Sequence, residues 1–329
     1  MTIFPVTTST LSAKELGEFI MDRYQLPKGF GCELFRTGIN HTYFLSDKGT
    51  KYVIRVYSHQ WRSRSEIIAE LHLLRLLKAN DIRVSFPIED KNGEFIQELN
   101  APEGIRYVVL FSFAVGGKVR VMTERTCFAI GSLMARMHEL TENNTIERTT
   151  YNKRTLMETP YDLLKRFFPA ELPEMEYIKS LGTSFKEVDF KDVPSGVVHM
   201  DIWYDNMAVH DEKEITLFDF DFCGNGWQIL DVAYFCKQLF FLETDKNVYK
   251  SKVRSFLDGY RKVRNLSDKE MALIPQAGAA VFVFYLGVQA RRFDWSNIFL
   301  TENYLKMFVG RIRSWLEYHR TNGVNMGDR

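Results

Sequence analysis

At 329 residues and 45% hydrophobic content, the chain can fill one large domain or two lobes, and its formal net charge of +1 leaves no basic footprint for nucleic acid. Four cysteines (Cys32, Cys127, Cys223, Cys236) lie without a C-x-x-C pair, which argues against zinc or a disulfide framework and for buried thiols in a reducing compartment. The N-terminal run MTIFPVTTSTLSAKEL lacks the basic start and apolar core of a secretion signal, and the longest apolar run, Ala277 to Val288, is too short for a bilayer. A cytoplasmic protein with no membrane partner is expected, with that run as a buried helix.

In chain order, Ser12 is a favourable N-cap for a helix running to about Tyr24. Strand-like segments follow at Cys32–Thr37, Thr42–Ser46 and Lys51–Tyr57, with the hairpin signal Asp47-Lys48-Gly49 between the last two. Ser63–Ala79 carries apolar residues at helical spacing. Further strands are predicted around Phe86–Glu89, Glu94–Glu98 and Arg106–Phe113, the last ending in the connector Ala114-Val115-Gly116-Gly117. Beyond it Glu124–Leu140 is an amphipathic helix, and helical segments dominate to the C-terminus, interrupted by a strand-rich patch from Gly196 to Phe222. The acidic stretch Glu171–Asp192 reads as a solvated face.

That interruption carries the chemistry. It contains His199-x-Asp201-x-x-x-x-Asn206, and thirteen residues past Asn206 the pair Asp219-x-Asp221 closes an apolar strand. Asp201 falls on a loop just past Val197-Val198, where a carboxylate can orient an attacking hydroxyl. Asn206 and Asp219 supply hard oxygen ligands suited to Mg²⁺, and Asp221 is a further candidate for the metal. Asp219 follows Ile215-Thr216-Leu217-Phe218, an apolar run in which an acid needs a partner. His199 reads as a packed structural residue, and Asp231 as the cap of the helix DVAYFCKQLFF. In the front third, Arg55 emerges from Tyr52-Val53-Ile54 as a cation for nucleotide phosphates. Glu70 and Glu66 compete to pair with it, and position does not choose between them. The segment Gly38-Ile39-Asn40 can cover phosphates with backbone N–H groups, although one glycine makes a poor glycine-rich loop.

The sequence resembles the aminoglycoside phosphotransferase/choline kinase family, a branch of the protein-kinase-like fold. The likeness runs from about Thr37 to Trp315 and is carried by GINHTYFL, KYVIRVY, EIIAELHLLRLL, VVLFSFAVGG, FAIGSLMARMHEL, VVHMDIWYDN and LFDFDFCGNGWQILDVAYF. It implies an α+β, two-lobed fold: a small antiparallel-sheet lobe over residues 1–113 that binds nucleotide, and a larger mainly helical lobe over 114–329 with catalytic loop and acceptor site. It further implies ATP and Mg²⁺ as cofactors, Asp201 as catalytic base, and Asn206 and Asp219 as metal ligands. By the same likeness Arg55 is the phosphate-binding cation, Glu70 rather than Glu66 its partner, and Ser112 and Ala114 the backbone contacts to adenine. Two departures stand out: Met200 where many members have Gly, and Arg55 where Lys is commoner.

The implied reaction moves the γ-phosphate of ATP to a hydroxyl of a small molecule: an amine, amino-alcohol or sugar-like acceptor. Trp203, Tyr204, Trp227 and Trp295 are the aromatics expected near it, and aromatics with carboxylates suit a cation. A protein Ser/Thr kinase and a catalytically silent nucleotide-binding regulator are the competing readings. The residues do not choose among homoserine, choline, ethanolamine, amino sugars and aminoglycosides, nor set the oligomeric state.

Overall fold

The turn at Asp47-Lys48-Gly49 sets the first sheet: Asp47 and Thr50 exchange both backbone hydrogen bonds (2.9 and 3.3 Å), aligning β2 (His41–Ser46) against β3 (Lys51–Val56). The computed structural model describes residues 4–292 and 300–323, so Trp295 lies outside the described residues. Two compact units divide between Val115 and Gly116, two residues beyond the expected boundary.

In the first unit five antiparallel strands lie in the order β1-β2-β3-β5-β4, with β1 at Gly31–Arg36, β4 at Ile96–Ala101 and β5 at Gly104–Ser112. Alternation turns Tyr43, Leu45, Ile54, Val56, Val108 and Leu110 to one face, where Leu16, Ile20 and Tyr24 of α1 (Ala13–Arg23) cover them. Arg55, between Ile54 and Val56, points to the opposite face and meets α2 (Arg64–Ala79). Ser63 and Glu66 close a capping box at the start of α2. The strand expected at Phe86–Glu89 is reduced to one bridge, Pro87 to Phe111, flanked by two backbone hydrogen bonds. The strand expected from Glu94 begins at Ile96, because Asp90 Oδ1 accepts the N–H groups of Asn92 (2.8 Å) and Glu94 (2.9 Å) and holds a turn there.

The second unit is mainly helical: α3 (Glu124–Thr141), α4 (Thr159–Leu164), α5 (Pro173–Lys186), α6 (Ile229–Leu242), α7 (Lys246–Arg261), α8 (Asp268–Arg291) and α9 (Glu302–Asn322). Two small sheets interrupt it. In one, β10 (Gly224–Trp227) pairs antiparallel with β7 (Ser195–Val198) and parallel with β6 (Thr150–Tyr151). The other is the hairpin of β8 (Met207–His210) and β9 (Glu214–Leu217). The apolar run at Ala277–Val288 extends into the longer α8, whose 24 residues, with a mean hydropathy of 1.8 over an 18-residue apolar window, meet the length and composition of a membrane span. Since 78% of that apolar window is buried within the unit, α8 is a core helix. Cys127, Cys223 and Cys236 are buried thiols, and Cys32 is half-buried.

A close crossing of α3 and α7 depends on two glycines. A Cβ on Gly131 would stand 2.0 Å from the Phe256 carbonyl oxygen, and one on Gly259 the same distance from that of Phe128. Backbone sits where a side chain would be, so neither position accepts even alanine without the helices moving apart. Gly131→Ala is expected to destabilise the protein by about 2–4 kcal/mol in chemical denaturation. Gly310→Ala, on the exposed face of α9 with nothing within 4 Å, is expected to stabilise it by roughly 0.5–1 kcal/mol. A neutral Gly131→Ala would contradict the close crossing.

Candidate active site

The hairpin brings the distant parts of the motif together. Met207 pairs with Leu217, so the residues just outside the ladder are neighbours, and the Phe218 N–H donates to the Asn206 carbonyl (3.1 Å). Asp219 follows, in a left-handed backbone conformation (φ 62°, ψ 63°). On the other side β7 ends at Val198 and the chain enters the loop through His199 and Met200, the latter also left-handed (φ 65°). A left-handed non-glycine residue costs roughly 1–2 kcal/mol. That conformation is the physical reason glycine suits this position, and here a buried Met occupies it.

Asp231 holds the turn in place. It does not cap α6 but points back at the loop: Oδ2 accepts the His199 N–H and Oδ1 the Met200 N–H, both at 2.7 Å. The His138 Nε2 lies 3.1 Å from the same Oδ2. A buried line orients that imidazole, with Arg264 Nη1 donating to the Tyr260 hydroxyl (3.1 Å) and that hydroxyl 2.8 Å from His138 Nδ1. The glycine crossing of α3 and α7 is what sets His138 against Tyr260. His199 is structural, as expected: its Nδ1 accepts the Asp201 N–H (3.2 Å), leaving Nε2–H to donate to the Phe218 carbonyl (3.2 Å). Burial holds its pKa below the usual range, against the pull of Asp231 and Asp219, so the ring is neutral and ties the loop to the strand leading to Asp219.

Asp201 sits at the centre. Tyr234 (2.6 Å) and Tyr285 (2.7 Å) direct hydroxyls at Oδ1, the latter sharing its proton with the Met200 carbonyl (2.9 Å). Asn206 Nδ2 donates to Oδ2 (2.5 Å). Burial raises the carboxyl to about 6 and the charge of Asp219 pushes the same way, while the Tyr234, Tyr285 and Asn206 hydrogen bonds pull against them. Asp201 is therefore ionised at neutral pH yet poised close to it, as suits a group that receives a proton.

The donor set fits a hard divalent cation. Because Asn206 commits its Nδ2 to Asp201, its Oδ1 is left to accept, and Asp219 directly follows the residue whose N–H bonds the Asn206 backbone. No cluster of three His, Cys, Asp or Glu suited to a metal occurs among the described residues. One amide oxygen and one carboxylate, completed by water and phosphate oxygens, is the sparse set that Mg²⁺ takes. Asp221 is placed differently: it is 3% exposed, within the turn Phe220–Phe222, and its carbonyl accepts from Arg148.

In the first unit the structure chooses between the two glutamates. Arg55 Nη1 meets Glu70 Oε1 at 2.9 Å, Tyr57 donates to Glu70 Oε2 (3.1 Å), and Glu70 is fully buried. Glu66 instead caps its own helix. Asn40 Oδ1 accepts the Ser58 N–H (3.2 Å), which anchors the segment containing Gly38. The Ser112 expectation narrows: its N–H donates to the Phe86 carbonyl (2.9 Å) and its carbonyl accepts from the Ser85 hydroxyl (2.6 Å), leaving one carbonyl lone pair for a base. Ala114 lies just past the strand, outside the ladder.

Tyr234, Tyr285, Lys237 and the true role of Asp231 escaped sequence reasoning. A signal existed: Asp231, Tyr234 and Lys237 recur every third residue in a mostly apolar helix, which puts three polar groups on one stripe. Of the expected acceptor aromatics, Trp227 stacks on Phe190 (centroids 3.9 Å apart) and Trp203 packs edge-on against Tyr204 (4.8 Å). Within Glu171–Asp192 most acids are exposed, and Asp189 pairs with Lys269 (2.7 Å).

A five-stranded antiparallel lobe with a strand Arg paired to a helix Glu, and a helical lobe with an Asp–Asn loop beside Asp219, define a phosphotransferase of the protein-kinase-like class. The chain belongs to the phosphotransferase enzyme family (APH), whose sequence profile matches residues 32–266. It is thus an enzyme, a phosphotransferase of the kinase type. It is 26% identical over 301 residues to a homoserine kinase of Bradyrhizobium diazoefficiens, covering 88% of this chain and 86% of that one. Its fold is similar to that of an amicoumacin kinase solved with AMP-PNP and Ca²⁺ (TM-score 0.76, 20% identity, 94% of each chain). It is also similar to that of a microcompartment-associated aminopropanol kinase (TM-score 0.66, 18% identity, 95% of this chain and 100% of that one).

Breaking a buried ion pair from one side leaves an uncompensated charge. Glu70→Ala is expected to lower stability by about 3 kcal/mol in a denaturation series, and Glu66→Gln, which can still cap, by less than about 1 kcal/mol. The reverse order would contradict the Arg55–Glu70 pairing.

Proposed function

We propose that the protein transfers the γ-phosphoryl group of Mg·ATP to the hydroxyl of a small-molecule alcohol. One observation carries this reading: Asn206 donates to Asp201 through Nδ2, which ties the proton acceptor to the residue whose other amide atom, Oδ1, is the candidate metal ligand. The acceptor hydroxyl donates to Asp201, and its oxygen forms the new bond to phosphorus as the bond to the β-phosphate oxygen breaks. The proton passes to the Asp201 carboxylate, and ADP leaves. Asn206 Oδ1 and Asp219 would hold Mg²⁺, which offsets charge on the phosphate oxygens when bound; Asp221, being buried, supports the turn that carries Asp219.

The first unit, taken by itself, carries residues suited to a nucleotide. Arg55, fixed by Glu70, neutralises phosphate charge through its planar fork. Backbone N–H groups from Gly38 to Asn40 cover the phosphates, and the Ser112 carbonyl with the Ala114 backbone receive the base. A small alcohol is favoured over a protein acceptor because the named relatives and neighbours (homoserine, amicoumacin and aminopropanol kinases) are named for small molecules. Dependence on ATP and cysteines that form no disulfide among the described residues fit a cytoplasmic location.

A panel of hydroxyl compounds with Mg·ATP, scored for ADP release above background, tests the reading. Asp201→Asn, which keeps the shape of the side chain, and Asp219→Ala are each expected to reduce transfer on the order of 10³-fold with the circular dichroism spectrum unchanged. Turnover near that of the parent in either variant would overturn the assigned roles.

A further inference from the structure

Lys237 is a charged group that the proposed chemistry does not use, and it belongs to the same cluster as Asp201. It lies on α6 one turn beyond Tyr234, and only 4% of it is exposed. Its ammonium sits 4.5 Å from the ring centre of Tyr234, 4.2 Å from that of Phe282 and 5.9 Å from that of Tyr285. Tyr234 and Tyr285 are the residues whose hydroxyls point at Asp201 Oδ1 (2.6 and 2.7 Å), so rings facing the cation carry hydroxyls that face the carboxylate. No hydrogen-bond acceptor or ion-pair partner for this ammonium occurs among the described residues.

Three aromatic faces around one point form the kind of box that recognises a substrate's onium group. Here the chain's own ammonium fills it. Burial lowers the Lys237 pKa to about 7; Asp201 pulls it up, and Arg311 pushes it further down. The Asp201 carboxylate already receives three donors, so it is not free to close on the lysine. An ammonium that has no acceptor among the described residues, on a side chain only 4% exposed, is costly, and an incoming anion removes that cost. A single negative charge matches the single ammonium, whereas a phosphate dianion would add uncompensated charge beside Asp201.

We infer that the acceptor is a small alcohol bearing a carboxylate, with Lys237 as the ligand of that carboxylate while the hydroxyl lies at Asp201. Alcohols whose only charge is positive are poor acceptors for the same reason. The inference rests on the reading of Asp201 as the proton acceptor and narrows it to one substrate class.

The test compares alcohols of three to six carbons in matched sets: one member with a carboxylate, one with the corresponding carboxamide, one with neither. L-Homoserine, its carboxamide and 3-aminopropan-1-ol make one such set. In the parent enzyme the carboxylate member is expected to have at least tenfold higher kcat/KM than its partners. In Lys237→Met that ratio is expected to fall to within about threefold through a rise in acceptor KM, with the KM for ATP unchanged. Met fills the box without a charge, so the variant should melt no lower than the parent, whereas a lysine kept for structure alone would lose stability. Equal use of the carboxamide, or a preference that survives in Lys237→Met, would overturn the inference and leave the phosphotransferase reading standing. If no alcohol in the panel is phosphorylated, that reading fails and binding decides the inference. Stabilisation of the parent, and not of Lys237→Met, by 4-hydroxybutanoate but not by 1,4-butanediol then supports it. Equal or absent stabilisation overturns it.

Discussion

The carboxylate of Asp231 is the constraint on which the site depends. It receives two backbone N–H groups from consecutive residues, one of them in a left-handed conformation that the chain would not otherwise hold. Hydrogen bonds to a charged group contribute about 1.5–3 kcal/mol each, enough to offset the roughly 1–2 kcal/mol cost of Met200. With that turn fixed, Asp201 leaves the strand toward Tyr234 and Tyr285, and Asn206 closes the loop from its other end. Asp231 is itself oriented by His138, Tyr260 and Arg264, so the geometry of one loop reaches back into the packing of α3 against α7. The two glycines at that crossing are thus part of the site although they are remote from its chemistry.

The same economy of contacts shapes the first unit. Arg55 alternates to the sheet face away from the core and is met there by Glu70, itself held by Tyr57. Arg keeps its charge in such surroundings and meets Glu70 through one arm of a planar fork. A lysine at this position would have to choose a partner with a single charged nitrogen.

Much of this was legible in the order of residues. The hairpin signal, the helical spacing of Ser63–Ala79 and the Asp201–Asn206–Asp219 pattern all correspond to features of the structure, and family likeness pointed to Glu70 where spacing could not. What escaped were contacts between elements remote in sequence. Asp231 looked like a cap because its targets, His199 and Met200, lie thirty residues earlier and only the small sheet brings them near. Tyr285 looked like core for the same reason, sitting in an apolar helix whose partner loop cannot be read from periodicity. Lys237 is the clearest case: one cation in DVAYFCKQLFF looks like a surface residue until the aromatic faces around it are known. Local rules describe elements and loops well; the electrostatics of a site depend on which elements meet.

Amide hydrogen exchange at Met200, measured in the parent and in Asp231→Asn, tests the central claim most directly. An asparagine offers one acceptor and one donor where the loop presents two donors, so the account predicts at least tenfold faster exchange at Met200 in the variant and a parallel loss of phosphotransfer. Parental protection together with parental turnover would contradict it.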